Sequence, residues 1–557
     1  MLHSVRDHNL STSALHPFRA KFSLERFQQK YAHEGAYTWE ALARVLVDNV
    51  MRGLVPDDVV DATFEVIRDM KFIPGGRYLY YANRALRAWN NCFLFRSEED
   101  SREDWARISW QAESALMTGG GIGNDYSIYR GRNSRLGRTG GTASGPVPKM
   151  LMINEIGRHV MQGGSRRSAI WAGLNWQHAD ICEFMASKDW YSMPVGNTGY
   201  SYGQVKEQDF NFPAPLDMTN VSVLYDDAWL SSDTPEGNPV FLANVRQALM
   251  TGEPGFAFNF GDKSNETLRN ACTEVTSEDD SDVCNLGSIN LSRIGRLSEL
   301  AVVADLATAF LLCGTVRATL PYEKIYGVRE KNRRLGLGLM GVHEWLLQRG
   351  ARYEVTPELH TWLNTYKMVS DSSAAMWAYK LSVSGPVAVR AIAPTGTIGI
   401  IAGTTTGIEP LFATAYKRRY LKNGTDWHYQ FVVEPAATVL VEQFGYDPDD
   451  IETALDLAAD PERRIKFQAD VQDYVDMAIS STINLPSWGS ELNNEDKVAG
   501  IAATLAKYAP RLRGFTCYPD GSRGGQPLTA VPYWEAKAQA GVEFMEHDSC
   551  KGGVCGL

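Results

Sequence analysis

The chain of 557 residues lacks several features that mark other classes of protein. Its eight cysteines include no two close pairs of the kind that bind zinc, and Cys550 and Cys555, the nearest approach, have no partner pair. Its longest apolar stretches are interrupted before they reach the length of a membrane span, and no charged segment followed by an apolar core opens the chain. We therefore expect a cytoplasmic protein with no structural metal and no contact with a membrane.

Positive charge is also scarce. The net charge is -11 and the isoelectric point is near 5.5, so the surface lacks the excess lysine and arginine that binding a nucleic-acid polymer would require. The sequence contains no repeat of solenoid length and no low-complexity linker. These absences favour one large domain with appendages.

Hydrophobic periodicity predicts an α/β protein. Helices are expected at about 39–52, 57–70, 299–318, 357–381 and 468–481. Short apolar segments next to turn residues, at Ala391–Ala393 and Gly514–Tyr518, are predicted to be buried strands.

Among the residues that are present, the segment Asn270-Ala271-Cys272-Thr273-Glu274 is the most informative. In an extended segment its amide, thiol and carboxylate would share one face, because side chains at i, i+2 and i+4 do so. A buried cysteine is more often an inert small hydrophobe. In a reducing compartment, however, stable disulfides are not expected, so a catalytic role gains weight for Cys272 and for Cys284 downstream.

The other cysteines fall into two groups. Cys550 and Cys555 lie in a polar, glycine-bearing segment at the end of the sequence, and a function for them there would be thiol exchange through mixed disulfides. Cys182 and Cys313 lie in apolar, helix-like contexts that favour a packing role, and we assign them no function.

Five separated motifs, taken in order, resemble those of the catalytic subunit of ribonucleotide reductases. They are Asn90–Leu94, Asn270–Glu274, Cys284–Ser288, Pro394–Gly399 and the pair Cys550 and Cys555. The similarity extends from about Phe72 to the end of the sequence.

The resemblance implies a role for each residue of the centre. Cys272 matches the position that becomes a thiyl radical and removes the 3′ hydrogen of the ribose, and Glu274 would accept the 3′-hydroxyl proton as general base. Asn270 would hold ribose and carboxylate in register. Cys92 and Cys284 match the pair that protonates the departing 2′ hydroxyl, supplies two electrons and ends as a disulfide.

The resemblance also implies a fold and a reducing system. The fold would be a ten-stranded α/β barrel over residues 72–530 with Cys272 at the tip of a central finger loop. A short helical region, 1–71, would precede it, and a mobile tail, 531–557, would follow. Cys550 and Cys555 on that tail would reduce the barrel disulfide and pass the oxidation to a thioredoxin- or glutaredoxin-like partner. The N-terminal region leaves little room for an ATP-sensing domain, so we expect no overall control by ATP against dATP.

Glycine-rich stretches are candidates for phosphate binding. The turn at Pro394–Gly399 offers backbone N–H groups and hydroxyls that suit an anion, although a plain structural turn would look the same. Gly336–Gly341 satisfies GxGxxG but follows a basic run instead of an apolar strand, so the dinucleotide interpretation fails. The resemblance places the substrate at Asn91, Pro394, Thr395, Gly396 and Thr397.

Two further loops, 135–146 and 161–168, would be solvated segments by composition alone. By resemblance they match the loops that bind a deoxynucleoside triphosphate effector and adjust the substrate pocket, usually across a homodimer interface. The candidate contacts are Gln162 and Arg166 for the substrate, and Arg138 and Asp100 for the effector.

The source of the radical divides the family. Relatives that import the radical from a metal-bearing subunit carry two adjacent tyrosines on a late strand, whereas this chain has Tyr518 beside Cys517. That substitution favours the adenosylcobalamin-dependent class, which segments Gly140–Pro146 and His178–Ile181 also resemble. The alternative is a separate radical-generating beta subunit, with Tyr518 as a relay.

Two hypotheses from other classes remain: a thiol-disulfide redox sensor that uses the C-terminal cysteines, and a nucleotide-binding protein without catalysis. For a reductase, ribonucleoside diphosphates are mildly preferred as substrates, although the same turn would accept triphosphates.

Overall fold

The structure is a computed structural model that describes residues 17–137, 139–160, 168–209, 211–422, 426–522 and 528–544. Five residues with predicted roles lie outside these ranges: Arg138, Gln162, Arg166, Cys550 and Cys555.

Twenty α-helices lie within the described ranges. In chain order they are α1 Lys21–Lys30, α2 Trp39–Met51, α3 Asp57–Arg68, α4 Gly76–Tyr80, α5 Arg102–Leu116, α6 Val147–His159, α7 Ile181–Ala186, α8 Tyr202–Gln208, α9 Asp227–Leu230, α10 Pro239–Thr251, α11 Leu297–Arg317, α12 Glu323–Asn332, α13 Val342–Leu347, α14 Pro357–Leu381, α15 Gly396–Ala402, α16 Pro435–Phe444, α17 Ala454–Leu457, α18 Pro461–Gln472, α19 Val498–Tyr508 and α20 Tyr533–Ala538.

Sixteen strands lie in the same ranges. They are β1 Phe72–Pro74, β2 Cys92–Arg96, β3 Gly121–Asp125, β4 Ile170–Asn175, β5 Thr219–Tyr225, β6 Gly255–Phe258, β7 Leu268–Arg269, β8 Thr276–Ser277, β9 Asp282–Asn290, β10 Leu335–Met340, β11 Ala415–Lys422, β12 Asp426–Val433, β13 Thr482–Leu485, β14 Gly514–Pro519, β15 Leu528–Ala530 and β16 Glu543–Phe544.

The large sheet consists of two parallel halves that meet at antiparallel seams. Strands β2 to β6 pair in parallel and form the first half. In the second half β9 pairs in parallel with β10, and β13 with β14. The seams are β2 against β9 and β6 against β14, both antiparallel.

The extended segment 388–392 joins the free sides of β10 and β13. Leu337 N donates to Val389 O at 3.0 Å, and Ile392 N donates to Ala478 O at 3.2 Å, just before β13. Isolated parallel bridges link this segment to both sides. Nine strands and this segment therefore close a ring of ten, as the resemblance implied, and the predicted α/β class is confirmed.

The main hydrophobic core lies between the second half of the ring and the helices outside it. Helix α11 packs against α2, α3, α14, β9 and β10. By length and composition α11 would be able to cross a bilayer, but 72% of its most apolar window is buried inside the protein. It is thus the central helix of a folded core.

Four of the five predicted helices are confirmed, as α2, α3, α11 and α14. The helix predicted at 468–481 is wrong, because the chain is helical only over α18 and becomes a strand at Thr482. The true start has clear signals: Asp460 accepts a hydrogen bond from Arg463 N as N-cap, and Pro461 occupies the first turn.

A small antiparallel sheet lies outside the ring. Hairpin β11–β12 is flanked by β15 on one side and β16 on the other. Helix α20, between β15 and β16, buries Tyr533 and Ala536 against the hairpin. Residues 531–544 of the predicted tail are therefore folded, and the rest of that tail lies outside the described residues.

Candidate active site

A hairpin inside the ring carries the central cysteine. Strands β7 and β8 pair antiparallel and leave Asn270–Val275 as the tip. Thr273 has a positive φ of 69°, and Val275 N donates to the side chain of Asn270 at 3.0 Å. The tip is a tight turn, so the extended segment expected from the i, i+2, i+4 pattern is wrong. The turn, not the alternation, brings the three polar side chains together.

Glycines on β3 make room for this hairpin. A Cβ on Gly123 would lie 1.9 Å from Arg269 O, and a Cβ on Gly121 would lie 3.2 Å from Ala271 Cβ. Asn220 of β5 donates its side-chain N–H to Ala271 O at 2.8 Å. The Gly-x-Gly spacing of β3 is therefore a sequence signal of the site that motif matching alone misses.

Buried ions fix the base of the hairpin. Arg269 is fully buried and donates to Asn259 Oδ1 at 2.7 Å and to Arg513 O at 3.2 Å. Arg513 also donates to Glu266 Oε2 at 3.1 Å. Burial alone would raise the pKa of Glu266, but the charge of Arg513 and the Thr276 hydroxyl lower it to about 2. The carboxylate at the base thus remains ionised at neutral pH.

The two cysteines predicted to cycle as a disulfide face each other across a seam of the ring. Cys92 on β2 and Cys284 on β9 are directly opposite in the antiparallel register. Opposed residues in such a pair have Cβ atoms about 4.5–5.5 Å apart, which suits a disulfide with little backbone movement. Neither is in a disulfide here, and both are buried.

The hairpin tip reaches this pair. Asn270 Nδ2 donates to Cys92 Sγ at 3.0 Å. Burial raises the pKa of the Cys92 thiol, and the nearby Glu274 carboxylate, Cys284 and Cys272 raise it further. The structure therefore brings together all five residues predicted for the catalytic centre.

Glu274 has the environment of a proton-transfer group. Its side chain is 1% exposed, and burial raises its pKa to about 7, although a hydrogen bond with Asn270 opposes the shift. Oε2 makes no hydrogen bond within the described part of the chain. A carboxyl group with a pKa near neutrality suits general acid–base chemistry.

The phosphate candidates lie where the segment 388–392 leaves the ring. Thr395 has φ 53°, and its hydroxyl accepts a hydrogen bond from Gly407 N at 2.8 Å. A Cβ on Gly396 would meet no other atom within 4 Å, and Lys30 of α1 donates to the Thr397 hydroxyl at 3.4 Å. The turn is open and has a cation beside it that the sequence did not indicate.

Asn91 immediately precedes β2 and the first of the opposed cysteines. Its backbone N–H donates to Cys284 O at 3.2 Å, and its side-chain Oδ1 makes no hydrogen bond to any described residue. A Cβ on Gly75 would lie 2.8 Å from that oxygen. This acceptor therefore lies beside the cysteine pair with its hydrogen-bonding capacity unused.

The wall formed by β13 and β14 has one buried and one partly exposed face. Ile483 and Cys517 are buried in the outer core, and Cys517 Sγ donates to Ala248 O of α10 at 3.4 Å. Their alternating neighbours Thr482 and Tyr518 are exposed at least in part. Tyr518 thus faces the interior of the ring, and Cys517 faces the outer core.

The remaining candidates are separate from the centre. Asp100 forms an ion pair with Arg130. Cys313 is buried in α11 as expected, whereas Cys182 is exposed on α7, so its predicted packing role is wrong. In α7 the buried side chains are Ile181, Phe184 and Met185.

A cavity of ligand-binding size lies apart from this centre. The cavity, of about 570 Å³, opens at the other end of the first half of the ring, lined by residues such as Asp125, Asn175 and Asp226, and it contains none of the candidate residues. Among the residues that the structure describes, no three His, Cys, Asp or Glu side chains come together as metal ligands.

Comparison with known proteins identifies relatives. The family description "Ribonucleotide reductase, barrel domain" matches residues 90–194, 242–373 and 387–509, which is more than half of the chain. A vitamin B12-dependent ribonucleoside-diphosphate reductase of Mycobacterium tuberculosis is 29% identical over 88% of this chain and 76% of its own length. A protein of the same description from Thermoplasma acidophilum is 28% identical over 84% of this chain and 66% of its own.

A solved structure has the same fold. The class Id ribonucleotide reductase alpha subunit of Actinobacillus ureae superposes with a TM-score of 0.69, over 90% of this chain and 97% of that chain, at 16% identity.

Proposed function

Because the chain belongs to the ribonucleotide reductase family, we propose that it reduces ribonucleotides to 2′-deoxyribonucleotides for DNA synthesis at the centre inside the ring. The observation that carries this proposal is the meeting of three thiols, one carboxyl group and one amide at the hairpin tip. We propose a catalytic ring over 72–530, an N-terminal helical region over 1–71, and a redox tail within 531–557.

Each side chain of the centre has one task. Cys272, as a thiyl radical, takes the 3′ hydrogen atom from the ribose, and Glu274 accepts the 3′-hydroxyl proton. Asn270 holds that carboxyl group in place. Cys92 and Cys284 then supply two electrons and two protons, one that lets the 2′ hydroxyl leave as water and one that ends on the 2′ carbon, and they become a disulfide. Glu274 returns its proton to the 3′ oxygen. Cys272 finally recovers its thiyl state when the 3′ carbon takes the hydrogen atom back.

The substrate enters with its phosphates at the open turn. Backbone N–H groups at Gly396 and Thr397, with the hydroxyls of Thr395 and Thr397, offer donors for a phosphate. Pro394 fixes the start of the turn, and Asn91 supplies an acceptor toward the sugar. We propose a ribonucleoside diphosphate as the substrate, because both of the relatives above carry that name.

Adenosylcobalamin is the radical source that we propose. We propose that it binds at the inner side of β13 and β14, where the hydroxyls of Thr482 and Thr516 lie 3.3 Å apart and Tyr518 is partly exposed. Cys517 lies in the outer core, so a second tyrosine facing the interior is missing from this wall. When bound, the cofactor supplies a carbon radical that oxidises Cys272. A separate metal-bearing beta subunit is the alternative source.

The remaining partners are proposed from the family to which the chain belongs. Cys550 and Cys555 would reduce the Cys92–Cys284 disulfide and be reduced by a thioredoxin- or glutaredoxin-like protein in the cytoplasm. We propose a homodimer with a deoxynucleoside triphosphate effector. Its candidate contacts are Arg138 and Asp100, and Gln162 and Arg166 would relay to the substrate.

The test is reduction of a labelled ribonucleoside diphosphate by the purified chain with dithiothreitol and a deoxynucleotide effector, with and without adenosylcobalamin. We expect deoxynucleotide only when the cofactor is present, and none from Cys272→Ser, which should still bind substrate. Cys182→Ser, an exposed cysteine away from the centre, is the matched control.

Two outcomes would change the assignment. Turnover only after adding a cell fraction that contains a radical-generating subunit would favour the alternative source and make Tyr518 the next residue to replace. If the parent forms no deoxynucleotide under any condition, while the parent and Cys272→Ser exchange thiols equally through the terminal cysteines, the chain would instead be a redox sensor.

A further inference from the structure

The two opposed cysteines have different charged neighbours. Strand β10 pairs with β9 in parallel, with Leu335 opposite Asn285, so Arg334 lies at the level of Cys284. A Cβ on Gly336, two residues further on the same face of β10, would lie 3.1 Å from Cys284 Sγ. The side chain of Cys284 therefore lies over the face of β10 that Arg334 shares.

Arg334 is a buried cation that forms an ion pair with Asp282. Its side chain is 4% exposed, and its Nε donates to Asp282 Oδ2 at 2.8 Å. Its Nη1 makes no hydrogen bond to any residue that the structure describes. Since a guanidinium does not lose its proton in a protein, this positive charge stays beside Cys284 at every working pH.

Cys92 has the opposite environment. Asn270 donates to its sulfur, and the ionisable group that acts on it most strongly is the carboxyl of Glu274. Burial raises the pKa of both thiols. For Cys92, Glu274 raises the pKa further and the hydrogen bond from Asn270 lowers it. For Cys284, Arg334 lowers the pKa, while Asp282 and Glu274 raise it. Cys284 is therefore the thiol of the pair that has a buried cation beside it, and its thiolate is the one that this charge stabilises.

We propose that Arg334 makes Cys284 the leaving thiolate when the Cys92–Cys284 disulfide is reduced, so that the incoming thiol attacks Cys92. This inference rests on the proposed function, because it concerns how the centre is returned to its reduced state. Arg334 touches neither substrate nor cofactor in this scheme and is a positioning residue.

The atoms and electrons of the step balance. A thiolate of Cys550 or Cys555 attacks Cys92 Sγ, the bond between Cys92 and Cys284 breaks, and Cys284 leaves as a thiolate with the electron pair. The second tail thiolate attacks the tail sulfur of the mixed disulfide and releases Cys92 as a thiolate. Each released thiolate takes up one proton, and the tail ends as a disulfide, two electrons poorer.

The attacked sulfur can be identified without altering the barrel. The Cys550→Ser/Cys555→Ser chain, loaded with adenosylcobalamin, completes one turnover and stops with the barrel disulfide formed. A small monothiol is then added, followed by an alkylating reagent, and peptide mass spectrometry locates both groups. We expect the monothiol on Cys92 and the alkyl group on Cys284. The reverse distribution would overturn the proposal, and so would an equal one.

The role of Arg334 itself is measured by rates. Removal of a buried neighbouring cation raises a thiol pKa by about two units. With a coefficient for the leaving thiolate equal to the value of about 0.4–0.5 that holds for an attacking thiol, Arg334→Gln should slow disulfide reduction by about six- to tenfold. Arg334→Lys should stay within about twofold of the parent. Arg333→Gln is the matched control, because Arg333 bonds to Ser384 and lies outside the ring. Equal rates for Arg334→Gln and the parent would refute the role.

The amount of product in the first turnover separates this inference from the proposed function. That turnover starts from reduced cysteines, so we expect Arg334→Gln to form as much deoxynucleotide as the parent before re-reduction limits it. No deoxynucleotide from the parent would mean that the proposed function fails. Product with the monothiol on Cys284 would mean that only this inference fails. If Arg334→Gln does not fold, the location of the monothiol in the Cys550→Ser/Cys555→Ser chain still decides the proposal.

Discussion

Replacing Gly123 by alanine tests whether β3 sets the position of the catalytic hairpin. The added Cβ would lie 1.9 Å from Arg269 O and 3.0 Å from Arg269 C, and neither is the far end of a flexible side chain. Contact between such atoms needs about 3.5 Å, so the base of the hairpin must move by roughly 1.5 Å. Forced overpacking of this kind costs about 1–3 kcal/mol of folding free energy.

The effect on catalysis should exceed the effect on stability. Cys272 follows Arg269 closely in the chain, and a misplacement of about 1 Å near a reacting group lowers rates by about 10²-fold. We therefore expect first-turnover deoxynucleotide formation by Gly123→Ala to fall by about two orders of magnitude, in protein that still unfolds cooperatively in urea.

The matched control is Gly327→Ala, in the interior of α12. No atom lies within 4 Å of a Cβ at this position, and alanine is favoured over glycine in a helix by about 1 kcal/mol. This variant should be slightly more stable and fully active. If Gly123→Ala keeps activity within about threefold of the parent, then β3 does not position the hairpin and the reasoning is refuted.

Three further predictions concern single side chains. Burial favours the neutral form of Glu274, so its contribution to stability is present below pH 4.5, its ordinary pKa, and is lost as the pH rises through about 7. Glu274→Gln should therefore raise the free energy of unfolding at pH 8 by about 1–3 kcal/mol while abolishing turnover. The turnover rate of the parent should rise with pH through about 7, and a rate that does not change with pH would contradict this. Cys517→Ala should lower the free energy of unfolding by about 1 kcal/mol in denaturant titrations and leave the turnover rate unchanged, because the sulfur contacts Ala248 in the outer core. A large loss of activity would indicate that Cys517 takes part in radical transfer. Lys30→Ala should raise KM for the diphosphate several-fold with kcat within about twofold, because Lys30 lies at the hydroxyl of Thr397; an unchanged KM would exclude a phosphate contact.

Local patterns in the sequence predicted local structure well. Helices α2 and α3 follow from apolar periodicity, and the structure adds Thr38 as the N-cap of α2, where it accepts a hydrogen bond from Ala41 N. The closure of the ring was not accessible in this way. It depends on β2 pairing with β9, which is distant in the chain, and on the segment 388–392, whose pairing consists of isolated bridges. The number of strands came only from the resemblance.

The predicted site was incomplete for a related reason. A run of basic residues usually marks a solvated face, yet Arg333 and Arg334 are buried, and Arg334 lies beside a candidate redox cysteine. The GxGxxG stretch that follows provides close packing: a Cβ on Gly336 would approach Leu286 Cδ2 to 2.2 Å, and one on Gly338 would approach Ala391 O to 2.7 Å. The glycines of this stretch serve strand packing, and the sequence predicts no dinucleotide site there. The close approach of Gly336 to Cys284 follows from the register of β9 and β10, which the sequence alone does not reveal.

The antiparallel seam explains why the redox pair and the hairpin tip meet. The chain passes from the first half of the ring to the second between β6 and β9, and this connection carries β7 and β8 into the interior. Strand β9 then returns antiparallel to β2, which places Cys284 opposite Cys92. The connection from β6 to β9 and the start of β9 therefore carry both Cys272 and Cys284 within one short stretch of chain. Hydrogen bonds of Asn270 close the tip and tie it to Cys92, and those of Arg269 hold its base, so the hairpin and the redox pair are packed together as one unit.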